Sequence, residues 1–294
     1  MMLYIGGLLI ALGVGFLTGV FGVGGGFMMT PALMIFLKIP APTAVGTDIA
    51  TILVTSSFGL WRRRGTSTVA VKLGLTIASG CVLGVCIGLM LLEWLKGMPS
   101  LIINGKELVA VQFILFCCFV VLLSGVGIYM FIDARRDKKN PSGRKQRGWF
   151  SRIQIWPYAH FALLEPSKQS LVPLILLGLI VGILTGLMGI GGGVILLPAL
   201  VYLVGMPMVK AAGTSLLLVW ISSLVAVIQH IKHGNINFGL WATMIVGGVA
   251  GTLIGTKIGL KASGSKLRMG FVYVVFAAVV MTVRELAVMV FGPS

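Results

Sequence analysis

Three adjacent glycines occur twice in the chain, at Gly24–Gly26 and Gly191–Gly193, each inside a long apolar stretch. Glycine admits left-handed backbone angles and lets a ligand approach the main chain closely. Each triplet precedes a helical stretch, and the first N–H groups of such a helix have no partner within it. Together with the positive end of the helix dipole they suit a small anion, with no buried Lys or Arg required. Tight helix packing through small residues is the competing role for the triplets. Gly46-Thr47-Asp48 and Gly213-Thr214-Ser215 are the second constellation, each read as opening a long helix after a proline-containing turn. Hydroxyls there can cap the helix or donate to a bound oxyanion. The candidate substrate contacts are therefore Gly24, Gly25, Gly26, Thr47, Gly191, Gly192, Gly193, Thr214 and Ser215. Asp48 is the only acid between Met1 and Leu92. An acid inside a membrane is expensive and marks function, so Asp48 is the proton-coupling candidate, with an N-terminal cap as its competing role.

These residues recur because the chain is one unit written twice. Gly22–Ala50 and Gly189–Leu217 align without a gap at a shift of 167 residues, with 11 identities in 29 positions. Paired glycine interruptions of apolar segments, one in each half, point to the substrate site of a transporter built from repeats.

The elements that must hold them are membrane helices. Hydrophobic residues make up 57% of the 294, and charged ones only 10%. A soluble domain could not cover so much apolar surface. No charge occurs in Met1–Leu37, Leu108–Ile132, Gln169–Val209 or Met269–Val283, and apolar stretches of about 18 residues or more read as spans. Met1–Phe21 lacks a basic start and a small-residue cleavage site, so it reads as a mature helix rather than a signal peptide. The expected helices are 3–20, 27–37, 44–61, 69–93 and 109–132, then 171–187, 194–204, 211–231, 239–260 and 267–290. The fold class is all-α and polytopic, with two inverted repeats of five helical segments each: 1–132 and 171–294, joined by a basic linker at 133–170. Segments 27–37 and 194–204 are too short for an ordinary crossing. Each reads either as a thin or tilted crossing or as the return arm of a re-entrant hairpin, and both leave the repeat odd, so that its second copy is inverted.

Charge placement gives the same inversion independently. Arg62, Arg63, Arg64 and Lys72 place the first such loop inside, whereas its counterpart at 232–237 holds only Lys232. Lys96 and Lys106 are balanced by Glu93 and Glu107 outside, while Lys261, Lys266 and Arg268 lie inside. Both termini then lie outside. The net charge of +16 is concentrated beside the spans, with eight Lys/Arg in residues 133–152. It reads as a cytoplasmic loop that attracts anionic lipid, not as a nucleic-acid surface. Within the linker, NPSGRKQRG is turn-rich, and SRIQIWPYAHF alternates as a short strand, or its Trp156 and Tyr158, with Trp149 just before it, lie in the headgroup belt.

Other features are weaker. Cys81, Cys86, Cys117 and Cys118 fall in spans, without metal-ligand spacing, and read as buried thiols. His230 and His233 close a helix near Lys232, where cations are ordinary and gating or proton handling is the sharper role. Gly80–Gly84–Gly88 and Gly251–Gly255–Gly259 have helix-packing spacing. Thr30, Ser56, Ser57, Ser222 and Ser223 add polar lining or bond their own backbone. Lys257 reads as a snorkelling cation and Arg284–Glu285 as an end-of-span pair. FGVGGGF with Asp48 downstream mimics a dinucleotide fingerprint, but it lacks the preceding strand. Neither a nucleophile–base pair nor a metal set is visible, so no enzyme, metal or cofactor is expected.

GLMGIGGGVILLPALVYLVGMPMVKAAGTSLLLV, followed by HIKHGNI and a GxxxGxxxG helix, resembles the sulfite exporter TauE/SafE family, as does GVFGVGGGFMMTPALMIFLKIPAPTAVGTDIAT in the first half. The resemblance covers both repeats. It implies a bacterial or archaeal inner-membrane carrier of small sulfur-containing anions such as sulfite, sulfonates, thiosulfate or sulfoacetate. The family's glycine motif maps onto Gly22–Pro31 and Gly189–Pro198, and its GTS motif onto Gly213–Ser215; Asp48 stands where Ser is usual. The expected function is thus secondary transport of such an oxyanion by alternating access. Export is favoured by the interior-negative potential, with proton-coupled import or a non-transporting membrane subunit as alternatives. The expected partners are the anion, anionic lipid near 133–152 and, as an open question, a second copy in a homodimer.

Overall fold

The computed structural model describes residues 2–66, 68–103, 106–139, 148–153, 155–161 and 168–291. The described residues form ten α-helices: α1 (Met2–Phe21), α2 (Gly26–Phe36), α3 (Ala41–Arg62), α4 (Val71–Lys96), α5 (Ala110–Lys139), α6 (Leu171–Met188), α7 (Gly193–Pro198), α8 (Met208–Lys232), α9 (Phe238–Lys261) and α10 (Gly264–Phe291). A π-helical turn, Ala199–Leu203, prolongs α7. Two short antiparallel ribbons, β1 (Leu101–Ile103) with β2 (Lys106–Leu108) and β3 (Tyr158–His160) with β4 (Lys168–Ser170), and a 3-10 turn at Trp149–Arg152 complete the described elements. Eight helices, all except α2 and α7, are long and apolar enough to cross a membrane. The NPSGRKQRG stretch lies outside the described residues, apart from its final Gly148.

α3 and α8 are the most buried spans and α10 the most exposed, so the first pair is central and α10 peripheral. The most extensive helix contacts join α1 to α9 and α4 to α6, each pair combining helices from the two halves of the chain. Glycine rows bring these pairs together. A Cβ on Gly80, Gly84 or Gly88 would strike α6 backbone between Ile175 and Leu187; one on Gly251, Gly255 or Gly259 would strike α1 backbone between Leu12 and Val20. Contacts advance in the same direction along both members, so α1 runs parallel to α9 and α4 to α6. The central pair behaves differently. Gly46 and Thr47, early in α3, meet Asn235 and Asn237 just beyond α8, while Gly213 and Thr214, early in α8, meet Thr68 and Ala70 just beyond α3. α3 and α8 are therefore antiparallel, although they occupy the same place in the two copies.

The short α2 is an arm that turns back. Leu37, its C-cap, brings Cδ2 to 2.8 Å from where a Gly6 Cβ would stand, near the start of α1. At about 1.5 Å per residue its length covers roughly half of a hydrocarbon core. A thin or tilted crossing and a re-entrant return arm both bring its end back beside the start of α1. The second tip folds onto its own preceding helix in the same way. Gly25 packs on Val14 and Thr18 of α1, and Gly192 packs on Val181 and Thr185 of α6.

Several boundaries differ from the sequence expectation. α3 and α8 start at Ala41 and Met208, three residues earlier than expected, with Pro40 and Pro207 as their N-caps. Proline in or beside a first helical turn loses no intrahelical hydrogen bond, so it opens the helix rather than delaying it. Thr47, Asp48, Thr214 and Ser215 consequently lie past the first turn and cap nothing. α5 continues to Lys139 instead of ending at 132, since charge ends the apolar span and not the helix. Glu285 pairs with Lys38 at 3.4 Å, not with its neighbour Arg284.

Gly84→Ala should lower the melting temperature of the purified protein, because its methyl would stand 2.8 Å from the Ile183 nitrogen in the α4–α6 seam. Overpacking of this kind costs about 1–3 kcal/mol. Gly125→Ala, with nothing within 4 Å of the new methyl, should leave the melting temperature unchanged or raise it. Thermal unfolding of the two variants in the same detergent checks the contrast.

Candidate functional site

The two glycine tips meet at the centre of the bundle. Gly24, Gly25, Gly191 and Gly192 have φ of 81°, 80°, 67° and 73°, angles that side chains strongly resist. A Cβ on Gly24 would meet Val219 and Ile52, and one on Gly191 would meet the same two residues. Ile52 and Val219 stand midway along α3 and α8 and are related by the shift of 167. The third glycine of each triplet serves contact between the tips. Gly26 lies against the Gly189 carbonyl and Ile190, and Gly193 lies against the Val23 backbone. Each tip thus occupies the space that a side chain on the other would need.

This geometry divides the triplets by role. Gly26 and Gly193 let the two tips cross, Gly25 and Gly192 seat each tip on its own preceding helix, and Gly24 and Gly191 face the side chains between α3 and α8. Gly25 and Gly192 are also the N-caps of α2 and α7. Their carbonyls accept the first helical N–H groups, those of Met28, Met29, Ile195 and Leu196. Among the described residues, no acceptor is paired with the N–H groups of Gly24–Phe27 or Gly191–Val194. Two sets of free main-chain donors and two positive helix ends therefore converge on one small region.

Thr47 and Thr214 do not reach the tips. Thr47 Oγ1 accepts the Asn237 N–H at 3.0 Å, and Thr214 Oγ1 accepts the Ala70 N–H at 3.0 Å. Each hydroxyl thus satisfies the backbone entering α9 or α4 and ties α3 or α8 to it. Ser215 Oγ donates to the Gly22 carbonyl at 2.6 Å, holding the root of the first tip. Asp48, in the matching place, is fully buried. Its Oδ2 accepts the Thr30 hydroxyl at 2.6 Å, which ties α3 to the arm α2, and its Oδ1 has no partner. Both the aspartate and the serine are thus placed to act on a tip, by different hydrogen bonds.

Hydroxyls line the same central pair of helices. Ser56 and Ser222 bond their own backbone, Ser57 accepts the Trp220 indole N–H at 2.8 Å, and Ser223 Oγ is buried without a partner. His230 and His233 part company. His233 is exposed at the end of α8, with Nδ1 at 2.8 Å from the Gln229 carbonyl, whereas His230 is fully buried. His230 Nδ1 lies 3.3 Å from Asn235 Nδ2, which also donates to Glu93 Oε1 at 3.0 Å. Lys96 closes this group with contacts of 2.6 Å to Glu93 and 2.8 Å to the Asn235 side-chain carbonyl. At the other end of the central pair Arg63 is only 2% exposed and donates to the Gly19 carbonyl at 3.3 Å. Sequence reasoning counted Arg63 and Lys96 as loop charges and left Asn235 out. The signal for Arg63 was its register with His230, one copy later.

Residues 7–282 match the family model described as "Sulfite exporter TauE/SafE". A "Probable membrane transporter protein" of Xylella fastidiosa strain Temecula1 is 27% identical over 258 residues, covering 86% of this chain and 84% of the relative. "Probable membrane transporter protein YjnA" of Bacillus subtilis is 28% identical over 266 residues, with 89% and 92% coverage. "Probable membrane transporter protein MJ0441" of Methanocaldococcus jannaschii is 24% identical over 270 residues, with 87% and 86% coverage. No solved structure matches the chain. The chain belongs to the sulfite exporter TauE/SafE family, and it is a multi-pass membrane protein of transporter type.

The three glycines of a tip should respond unequally to alanine. Gly193→Ala puts a methyl onto the Val23 backbone and should prevent the tips from seating, with loss of monodisperse protein. Gly191→Ala meets only side chains of Ile52 and Val219, at 3.3 to 3.4 Å. It should still fold, at a cost of about 1–2 kcal/mol for the left-handed angle. Size-exclusion profiles and thermal unfolding of the two variants give the comparison.

Proposed function

We propose that this protein is a secondary transporter of a small sulfur-containing oxyanion, such as sulfite, thiosulfate or a sulfonate, and that it exposes one central site to each side of the membrane in turn. The observation that carries this reading is the convergence of two glycine tips whose main-chain N–H groups have no protein acceptor. Left-handed glycines followed by a helix start turn successive N–H groups toward one point, which matches an anion with several acceptor oxygens. The family description favours sulfite among such anions, while the relatives' names speak only of transport. No catalytic step is proposed.

Alternating exposure is supported by the antiparallel placement of α3 and α8, which occupy equivalent places in the two copies. Two halves related by an axis in the membrane plane can exchange conformations, and a site on the axis then opens to one side or the other. Positive loops at Arg62–Lys72 and Lys261–Arg268, with the basic linker, favour an inner-membrane orientation with 133–170 in the cytoplasm and both termini outside. In that setting the potential is worth about 2.3 kcal/mol per charge per 100 mV and favours anion exit without a coupled ion.

A second reading, proton-coupled import, is favoured by Asp48. Asp48 Oδ2 accepts the Thr30 hydroxyl, and Oδ1, buried without a partner, is the oxygen left to carry a proton. A proton carried there would travel with the anion and relieve the charge of a buried carboxylate.

In proteoliposomes the purified protein should move radiolabelled sulfite, thiosulfate or a sulfonate, and discriminate among them. Under export, flux follows membrane potential and ignores an imposed pH gradient. Under import, a pH gradient drives accumulation, and Asp48→Asn abolishes that drive while leaving exchange intact. The orientation has its own measurement. In a cysteine-free background, Arg64→Cys and Lys232→Cys should react with an impermeant maleimide from opposite faces, and reaction from the same face would discard the inverted arrangement.

A further inference from the structure

The buried Arg63 and His230 have no role in the central site, although they occupy one position written twice. They are separated by the repeat shift of 167 and stand at the C-terminal ends of α3 and α8. Because these helices are antiparallel, the two side chains lie at opposite ends of the central pair. Both are inaccessible, at 2% and 0% exposure, and both leave a ring or guanidinium nitrogen without a partner: Nε of Arg63 and Nε2 of His230.

Arg63 is the sharper case. Its one side-chain hydrogen bond is to the Gly19 carbonyl, at 3.3 Å. Among the described residues no carboxylate lies within 4.0 Å of it. A buried cation is costly unless it is paired, and an unpaired guanidinium keeps most of its five donors free. The neighbouring Arg62 and Arg64 are exposed, so position in the loop does not account for the burial of Arg63. Its missing countercharge matches, in sign and geometry, an oxyanion that accepts two parallel N–H bonds. At the other end the His230 imidazole is held by Asn235, which is itself fixed by Glu93 and Lys96, so that Nε2 stays free and its ring is oriented.

We propose, resting on the transport reading above, that Arg63 and His230 are the two outer docking groups for the transported oxyanion, one at each end of its path, with the glycine tips between them. A charged fork at the Arg63 end and an imidazole at the other make the two ends chemically unequal. The Arg63 end is then the stronger collector of anion, which suits capture on the side where the positive loops lie.

The test is sidedness of KM for sulfite. Protein is reconstituted in liposomes with its orientation fixed by an impermeant label at an Arg64→Cys reporter, and sulfite is offered from one face at a time. Arg63→Gln should raise KM roughly tenfold or more on the Arg63 face, the scale of one lost charged hydrogen bond, and leave KM on the opposite face unchanged. His230→Gln should do the reverse, with a smaller rise. Equal KM values for Arg63→Gln and wild type on both faces, with wild-type flux present, overturn the docking proposal and leave the transport reading standing. Absence of sulfite, thiosulfate and sulfonate flux in the wild type overturns both. Should Arg63→Gln fail to give monodisperse protein, Arg63→Lys replaces it. Lysine keeps the charge and loses the fork, so a one-sided rise in KM supports the proposal and an unchanged KM overturns it.

Discussion

Backbone polar groups inside a bilayer must find partners within the protein, because the hydrocarbon offers none. Among the described residues, the two broken helices leave main-chain N–H groups without a protein acceptor, and α3 and α8 pack against this break. Each tip carries free N–H groups where an unbroken helix would have none, and each is walled in by the other tip and by α3 and α8. Gly26 against Gly189 and Ile190, and Gly193 against Val23, are the contacts that make this enclosure possible. A Cβ on Gly26 or Gly193 would strike the backbone of the opposite tip, so the closeness of these walls depends on glycine.

A frame of exchanged contacts surrounds the tips. α1 with α9 and α4 with α6 are made by glycine rows that let backbones touch, and each pair takes one helix from either half. With little hydrophobic drive for association in lipid, such close packing is the main source of cohesion between spans. The halves therefore cannot part without losing their largest interfaces. Hydroxyl ties, Thr47 to Asn237 and Thr214 to Ala70, join the central helices α3 and α8 to the segments that enter α9 and α4.

The chemistry is less symmetric than the frame. Asp48 faces Thr30 where Ser215 faces Gly22, Arg63 stands where the second copy has His230, and α7 gives way to a π turn where α2 remains regular. The repeat shift of 167 keeps the helices in register in both copies, while these buried polar groups differ between them.

Much of this was legible in the sequence, because the signals involved are local. The shift of 167 residues, the apolar spans and the glycine triplets are properties of short windows, and lipid allows only a narrow choice of structures for such windows. The class of the chain, its helical segments and the importance of the tips follow from them. What the sequence left open depends on which remote surfaces meet. Gly24, Gly25 and Gly26 look alike in a row, yet they face α3 and α8, α1 and the opposite tip respectively. Thr47 reads as a cap in one dimension, and in space it serves a strand of backbone 190 residues away. Arg63 reads as one of three exposed loop arginines, and only the packing of α1 over the end of α3 buries it. The sequence alone determined which segments break, because glycine's freedom belongs to the residue itself. The tertiary structure decided what each break touches, because contact depends on the register between helices far apart in the chain.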